Sequence, residues 1–170
     1  MRRGFTLIEL MIVIVIMGIL LVVGVVNISS SQVKARDNER QGDVTSIASA
    51  LETYYTSATA TAGASTNYTY PSLQLIGTES TLLPDLNSES LTSPNDPNSG
   101  NDVVAATNNT FDNPNGVTPK PSASRDVYVY QPLQADGSLC TTSSQECRKF
   151  ALYYFSELDN NVHVVTSRHQ

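Results

Sequence analysis

The sequence is poor in the residues from which active sites are built. Among 170 residues there are two histidines and two cysteines. Cys140 and Cys147 have no second cysteine pair and no histidine at ligand spacing, which argues against a metal centre. His163 and His169 fall in or beyond the last predicted strand, the first read as an exposed strand residue and the second as part of a frayed terminus. No nucleophile motif, phosphate loop or metal triad accompanies them, so no catalytic site is expected. Positive charge is scarce too, with ten Lys and Arg against sixteen Asp and Glu and a net charge of −6. Bulk charge of that sign disfavours nucleic acid as a partner, and a local basic patch reduces to Arg148, Lys149 and Arg168. The length leaves room for one globular core beside any membrane segment.

Aliphatic side chains at the amino terminus are what the chain has in abundance. From Phe5 to Val26 almost every residue is Ile, Val, Leu or Met. As a helix this run of about 22 residues is roughly 33 Å long, enough to cross the hydrocarbon of a bilayer. Arg2 and Arg3 precede it and favour a cytoplasmic amino terminus. A cleavable secretory signal fits poorly, because the run exceeds the usual apolar length and bulky Val25, Val26 and Ile28 follow in place of a small-x-small site. The one small-residue boundary lies ahead of the run, at Gly4. Glu9 stands alone inside it, and a carboxylate there costs a few kcal/mol unless it has a partner.

Gly4-Phe5-Thr6-Leu7-Ile8-Glu9-Leu10, behind a short basic leader, resembles the processing site of type IV pilins and of the pseudopilins of type II secretion. The resemblance covers the N-terminal stretch only. It implies cleavage after Gly4 by a prepilin peptidase, N-methylation of Phe5 by the same enzyme, and a requirement for Glu9 in methylation and assembly. Loss of Arg2 and Arg3 then takes the side-chain charge from −6 to −8. A freed amine on Phe5 and the Glu9 carboxylate of a staggered neighbour can neutralise one another where two lone charges would be costly. Family members often carry a proline midway along the apolar segment, and Leu21 to Val26 has none. Gly18 and Gly24 are the remaining weak points, or else sites of close helix packing.

No proline and no glycine cluster forces a break between Val26 and Ser57, and Val33 to Arg40 is charged and helix-compatible, so one helix is expected from Phe5 to Ser57, roughly 80 Å long. Val44, Ile47, Ala48, Leu51, Tyr54, Tyr55 and Ala58 form an apolar stripe on its second half, with Asp43, Ser46, Ser49, Glu52 and Thr53 opposite. Residues 58–126 read as a variable connection: a small polar stretch to Thr66, one short helix or packed loop between Asn67 and Leu86, then a long loop with a brief strand at Val103-Val104-Ala105. Val127 to Tyr130, Phe150 to Phe155 and Val162 to Val165 read as an antiparallel meander. Pro132 ends the first of these strands or marks an edge, the second is central, and Asp159-Asn160-Asn161 is a turn. Cys140 and Cys147 lie between the first two strands in the exported part, where they are expected to pair.

The expected architecture is α+β, with a long N-terminal helix packed on a small antiparallel sheet of three to four strands. It divides into a leader (1–4), a transmembrane or filament-core half-helix (5–26), an amphipathic half-helix (27–57), the connection (58–126) and a C-terminal sheet with its disulfide loop (127–170). Asp96 to Asp102 is rich in oxygen ligands, and some pseudopilins hold calcium in the loop before the final strands. Its spacing departs from the EF-hand pattern, so a solvated turn is the first expectation there, with Ca²⁺ the alternative. The resemblance implies a pilin of a type IV pilus, in the cytoplasmic membrane before assembly and on the cell surface after it, serving adhesion, twitching motility or DNA uptake. A type II secretion pseudopilin is the alternative, and a membrane-tethered binding protein a third reading. The implied partners are further copies of the chain, prepilin peptidase, the inner-membrane assembly machinery and, before assembly, lipid. Whether a surface receptor or DNA is bound is left open.

Overall fold

The structure is a computed structural model, described over residues 4–57, 68–95, 100–108 and 121–169, with the side chains of 23–29 outside that description. It falls into two compact units, Met1–Ala35 and Arg36–Gln170.

In the first unit, helix α1 begins; it runs without a break over Leu7–Thr56. Every described residue from Gly4 to Val22 is exposed, the large apolar side chains from 41% at Val13 to 86% at Leu7. A helix that is apolar all round has no wet face to present and must be covered by something outside its own chain. Among the described residues no helix is long and apolar enough to cross a membrane. The apolar stretch read in the sequence runs on through 23–26, whose side chains lie outside the described residues.

The second unit is built on a four-stranded sheet of order β1-β2-β3-β4, with β1 Val103–Ala105, β2 Tyr128–Gln134, β3 Cys147–Ser156 and β4 Asn161–Thr166. Strand alternation divides the core in two. Tyr128, Tyr130, Phe150 and Leu152 meet Val44, Ile47, Ala48 and Leu51 of α1. Val129, Ala151 and Tyr153 point to the other face, where Ala106 and Ala123 cover them. Each wholly buried aliphatic on the helix stripe contributes about 2 kcal/mol. Between α1 and β1 the chain makes two 3-10 turns, Leu73–Leu75 and Ser88–Leu91, around a single-turn helix α2, Glu79–Leu82.

Several expectations are corrected. The sheet is mixed and not purely antiparallel, because β1 pairs parallel to β2 (Val103↔Tyr128 to Ala105↔Tyr130). Parallel neighbours need a crossover of about a dozen residues or more, and the sequence between Ala105 and Tyr128 is long enough for one. Pro132 does not end β2; it pairs with Phe150 inside the strand. Its carbonyl accepts from Cys140 N at 2.9 Å, so the side that lacks an N–H faces away from β3, beyond the end of β1. Asp43 and Glu52 do not sit on the wet face of α1 with Ser46, Ser49 and Thr53. They flank the stripe and accept hydrogen bonds from the hydroxyls of Tyr128 (2.9 Å) and Tyr70 (3.0 Å). His169 is not frayed: its ring stacks on Tyr55 with centroids 4.5 Å apart. Ala58 and the loop segments 58–67, 96–99 and 109–120 lie outside the described residues.

Candidate functional site

The amino-terminal site begins with a helix start. Thr6 precedes Leu7 and acts as its cap. Its hydroxyl accepts from Glu9 N at 3.3 Å, while Glu9 Oε2 accepts from Thr6 N and Thr6 Oγ1, each at 2.9 Å. This reciprocal capping box satisfies orphan N–H groups of the first turn and is worth about 1 kcal/mol. It also stops the helix short of Phe5. Gly4 and Phe5 therefore lie outside α1 and exposed. Glu9 is held by Thr6 at the head of a helix whose described side chains beyond it are exposed hydrocarbon as far as Val22.

A second cluster of charge begins the other unit, where sequence reading expected only a charged, helix-compatible stretch. Arg40 is fully buried; its Nη1 donates to Asp37 Oδ1 (3.0 Å) and Glu157 Oε1 (2.8 Å). Its Nε and Nη2 donate to the carbonyl of Arg125 at 3.3 and 3.2 Å. Arg36 grips both oxygens of Glu157 at 2.9 Å in a bidentate pair. Asp37 accepts from the backbone N–H groups of Glu157 and Leu158, both at 2.9 Å, and from Ser156 Oγ at 2.8 Å. The Arg36 guanidinium, against the pull of burial and with Arg40 assisting, lowers the Glu157 carboxyl to about 2. Burial pushes Asp37 the other way, and its backbone, serine and arginine donors outweigh that to leave it below the usual carboxylate range. Two cations meet two anions with their hydrogen bonds made, the condition under which buried ions are tolerated. The cluster ties α1 to the β3–β4 turn.

The signal for it lay in the stripe itself. Stepping back from Leu51, Ile47 and Val44 at helical spacing lands on Arg40, Asp37 and Val33, so these charges occupy core positions. Nothing local names their partner, Glu157, which is more than a hundred residues further on.

Cys140 and Cys147 form a disulfide with Cα atoms 5.7 Å apart. Their carbonyls accept from Leu73 N (2.9 Å) and Tyr70 N (2.8 Å), so the bridge supports the segment that follows the long helix. His163 pairs with Asp159 at 2.9 Å and stacks on Tyr154, and His169 lies 3.5 Å from Glu52; the two histidines are not brought together. Among the described residues no group of three or more His, Cys, Asp or Glu gathers as a metal site, and 96–99 of the oxygen-rich loop fall outside them. Arg148 donates to the Tyr68 carbonyl and pairs with Glu146 at 2.6 Å, so the expected basic patch is partly neutralised.

Residues 1–25 match the model of the prokaryotic N-terminal methylation motif. The chain is 39% identical over 73 residues to type II secretion system core protein G of Pseudomonas aeruginosa, covering 43% of this chain and 45% of that protein. Over 53 residues it is 43% identical to core protein G of Pectobacterium carotovorum and 45% identical to that of Klebsiella michiganensis, 31% of this chain in each case and 34% and 37% of theirs. The chain thus spans less than half the length of the curated relatives it matches. No solved structure matches it significantly. All three relatives are named for secretion, which favours the alternative reading of the sequence over the pilus. In its methylation motif and its partial homology to the secretion core protein G, the chain is similar to the type IV pilin-like family.

Proposed function

We propose that the chain is a pseudopilin of a type II secretion system, a structural subunit that is made as a membrane-anchored precursor and polymerises through its apolar helix. The observation that carries this reading is the homology to three secretion core protein G chains, and the capped, apolar start of α1 directly behind the Gly4–Phe5 bond supports polymerisation through that helix. Prepilin peptidase cuts that bond and methylates Phe5. The new amine then meets Glu9 of a staggered copy, and the aliphatic surface leaves lipid for contact with neighbouring helices. Neutralising the carboxylate sets the register, and the buried hydrocarbon supplies the free energy. The partners are further copies, the peptidase and the inner-membrane assembly machinery; no catalytic role is assigned.

Intact mass of the mature protein tests the processing step. Loss of Met1 to Gly4 with one added methyl on Phe5 is expected, and a mature chain that keeps its leader would end the proposal. Type IV pilus membership is the second reading, supported by the motif alone. Deleting the gene separates the two: a pseudopilin is required for export of secreted enzymes, whereas a major pilin is the bulk component of sheared surface fibres.

A further inference from the structure

The second unit carries a cleft and a knob that no role above uses. The cleft, about 690 Å³, lies between the C-terminal part of α1 and the segment 81–90. Ala50, Leu82 and Leu86 give it an apolar lining, and Asp85 is exposed at its edge. The helix wall is hydroxylic, and those hydroxyls point their protons inward. Thr45 donates to Gln41 O (2.6 Å), Ser46 to Gly42 O (2.9 Å) and Thr53 to Ser49 O (3.0 Å). With their protons spent on the backbone, what they offer the cleft is oxygen lone pairs. Together with Asp85 this is a surface for a cation or donor joined to hydrocarbon.

The knob is Leu158, 61% exposed at the tip of the β3–β4 turn. A single exposed leucine is ordinarily unremarked, but this one is held rigidly. Its own N–H and that of Glu157 are bound by Asp37, and the Glu157 carboxylate is gripped by Arg36 and Arg40. Arg125, itself 57% exposed, lies beside it with Nε 3.8 Å from Glu157. The turn therefore presents an aliphatic tip with an adjacent cation and little conformational entropy left to lose.

We infer that the cleft receives the Leu158 turn of a second copy of this chain, with the Arg125 of that copy against Asp85. Charge and apolar surface are complementary, and the two halves occupy different places on the unit. Asp37, which holds the knob, and Ala50, which lines the cleft, are roughly 20 Å apart along α1. Such a contact is heterologous: each copy offers a knob to one neighbour and a cleft to the other, so it propagates from copy to copy, as a filament requires, and does not close as a two-fold dimer. The inference rests on the filament reading and gives it a head-to-tail contact between second units, distinct from helix packing.

Cysteine cross-linking in the full chain tests it. Leu158→Cys and Ser49→Cys are placed in separate copies and co-expressed with the assembly machinery, with Asp136→Cys replacing Leu158→Cys as the control. A dimer that forms at least five-fold more in the Leu158/Ser49 mixture than in the control is expected. Arg125→Asp should lower that yield several-fold, and adding Asp85→Arg to the Ser49→Cys copy should restore it. Filaments that assemble normally with cross-linking no better than the control overturn the knob-and-cleft contact and leave the filament reading standing. Processed chain that never polymerises overturns both.

Discussion

Asp43 should make this protein less stable at neutral pH than at pH 5, the reverse of the usual behaviour of a paired carboxylate. It lies beside the buried stripe of α1, and burial raises its pKa from 3.8 to about 6 in spite of the hydrogen bond from Tyr128. The folded chain therefore holds a proton at pH 5 that the unfolded chain has released, so stability falls as pH rises between about 4 and 6. A shift of two units corresponds to roughly 3 kcal/mol, and partial exposure of the site reduces this to about 1–2 kcal/mol. Asn keeps an acceptor for the Tyr128 hydroxyl and carries no charge. Asp43→Asn should then stabilise the chain by about 1–2 kcal/mol at pH 7 and by nearly nothing at pH 4. Urea unfolding of the full chain in detergent, disulfide intact, at pH 4, 5, 6 and 7 reads this directly. An Asn variant whose stability keeps the wild-type slope between pH 4 and 6 would refute the assignment.

Glu157 acts with the opposite sign. Its pKa is lowered from 4.5 to about 2, so its contribution is present above about pH 4.5 and is lost as pH falls toward 2. Glu157→Gln should cost about 3 kcal/mol at pH 7, because it leaves Arg40 buried with one anion fewer, and should flatten the acid limb of the same titration. Leu51→Ala, at a fully buried position on the helix stripe, should cost about 3 kcal/mol in the same assay with no dependence on pH. Cys140→Ser with Cys147→Ser should cost about 2.5 kcal/mol through the entropy of a closed loop of seven-residue separation, and hydrogen exchange should rise at Tyr70 and Leu73, whose N–H groups the two cysteine carbonyls hold. Glu9→Gln keeps an acceptor for the capping box but no charge, whereas Thr6→Val keeps the charge and breaks the box. Filament yield is expected to fail in the first and survive in the second.

The parts of the fold that rest on period were legible. The helix stripe, the brief strand at Val103, the alternation of Tyr128 to Tyr130 and the doubly apolar Phe150 to Phe155 each carry their burial in their spacing, and each forms the element expected of it. What spacing cannot show is which distant polar group completes a buried one. Asp43 and Glu52 read as wet because they are acidic, yet Tyr128 and Tyr70 reach them across the core boundary. Arg40 read only as the end of a charged, helix-compatible stretch. Its satisfaction depends on Glu157 and on the Arg125 carbonyl, which only the sheet topology brings near. His169 was given to a frayed end because termini usually fray; here Glu52 accepts from Arg168 N at 2.8 Å and Tyr55 stacks on the ring. Composition could not reveal the parallel pairing of β1, since strand direction depends on a crossover and not on the three residues of the strand.

The capping box gives Glu9 a second task that the family resemblance alone does not suggest. A helix of apolar residues has no intrinsic reason to begin at Leu7, since Phe5 is a somewhat weaker helix former than Leu7 but does not break a helix. Thr6 and Glu9 set the start by exchanging bonds across the first turn, and this leaves Gly4 and Phe5 outside the helix. The same carboxylate that costs free energy in hydrocarbon thus offsets part of that cost within its own chain, through two donors on Thr6. Those donors are neutral, so the negative charge itself is not cancelled. A carboxylate satisfied in hydrogen bonding but not in charge can remain in a monomer at a membrane interface. It still gains from a cation when many helices pack together and water is excluded. On the proposed reading, the box lowers the cost of waiting, and a neighbour's freed amine would supply the reason to assemble.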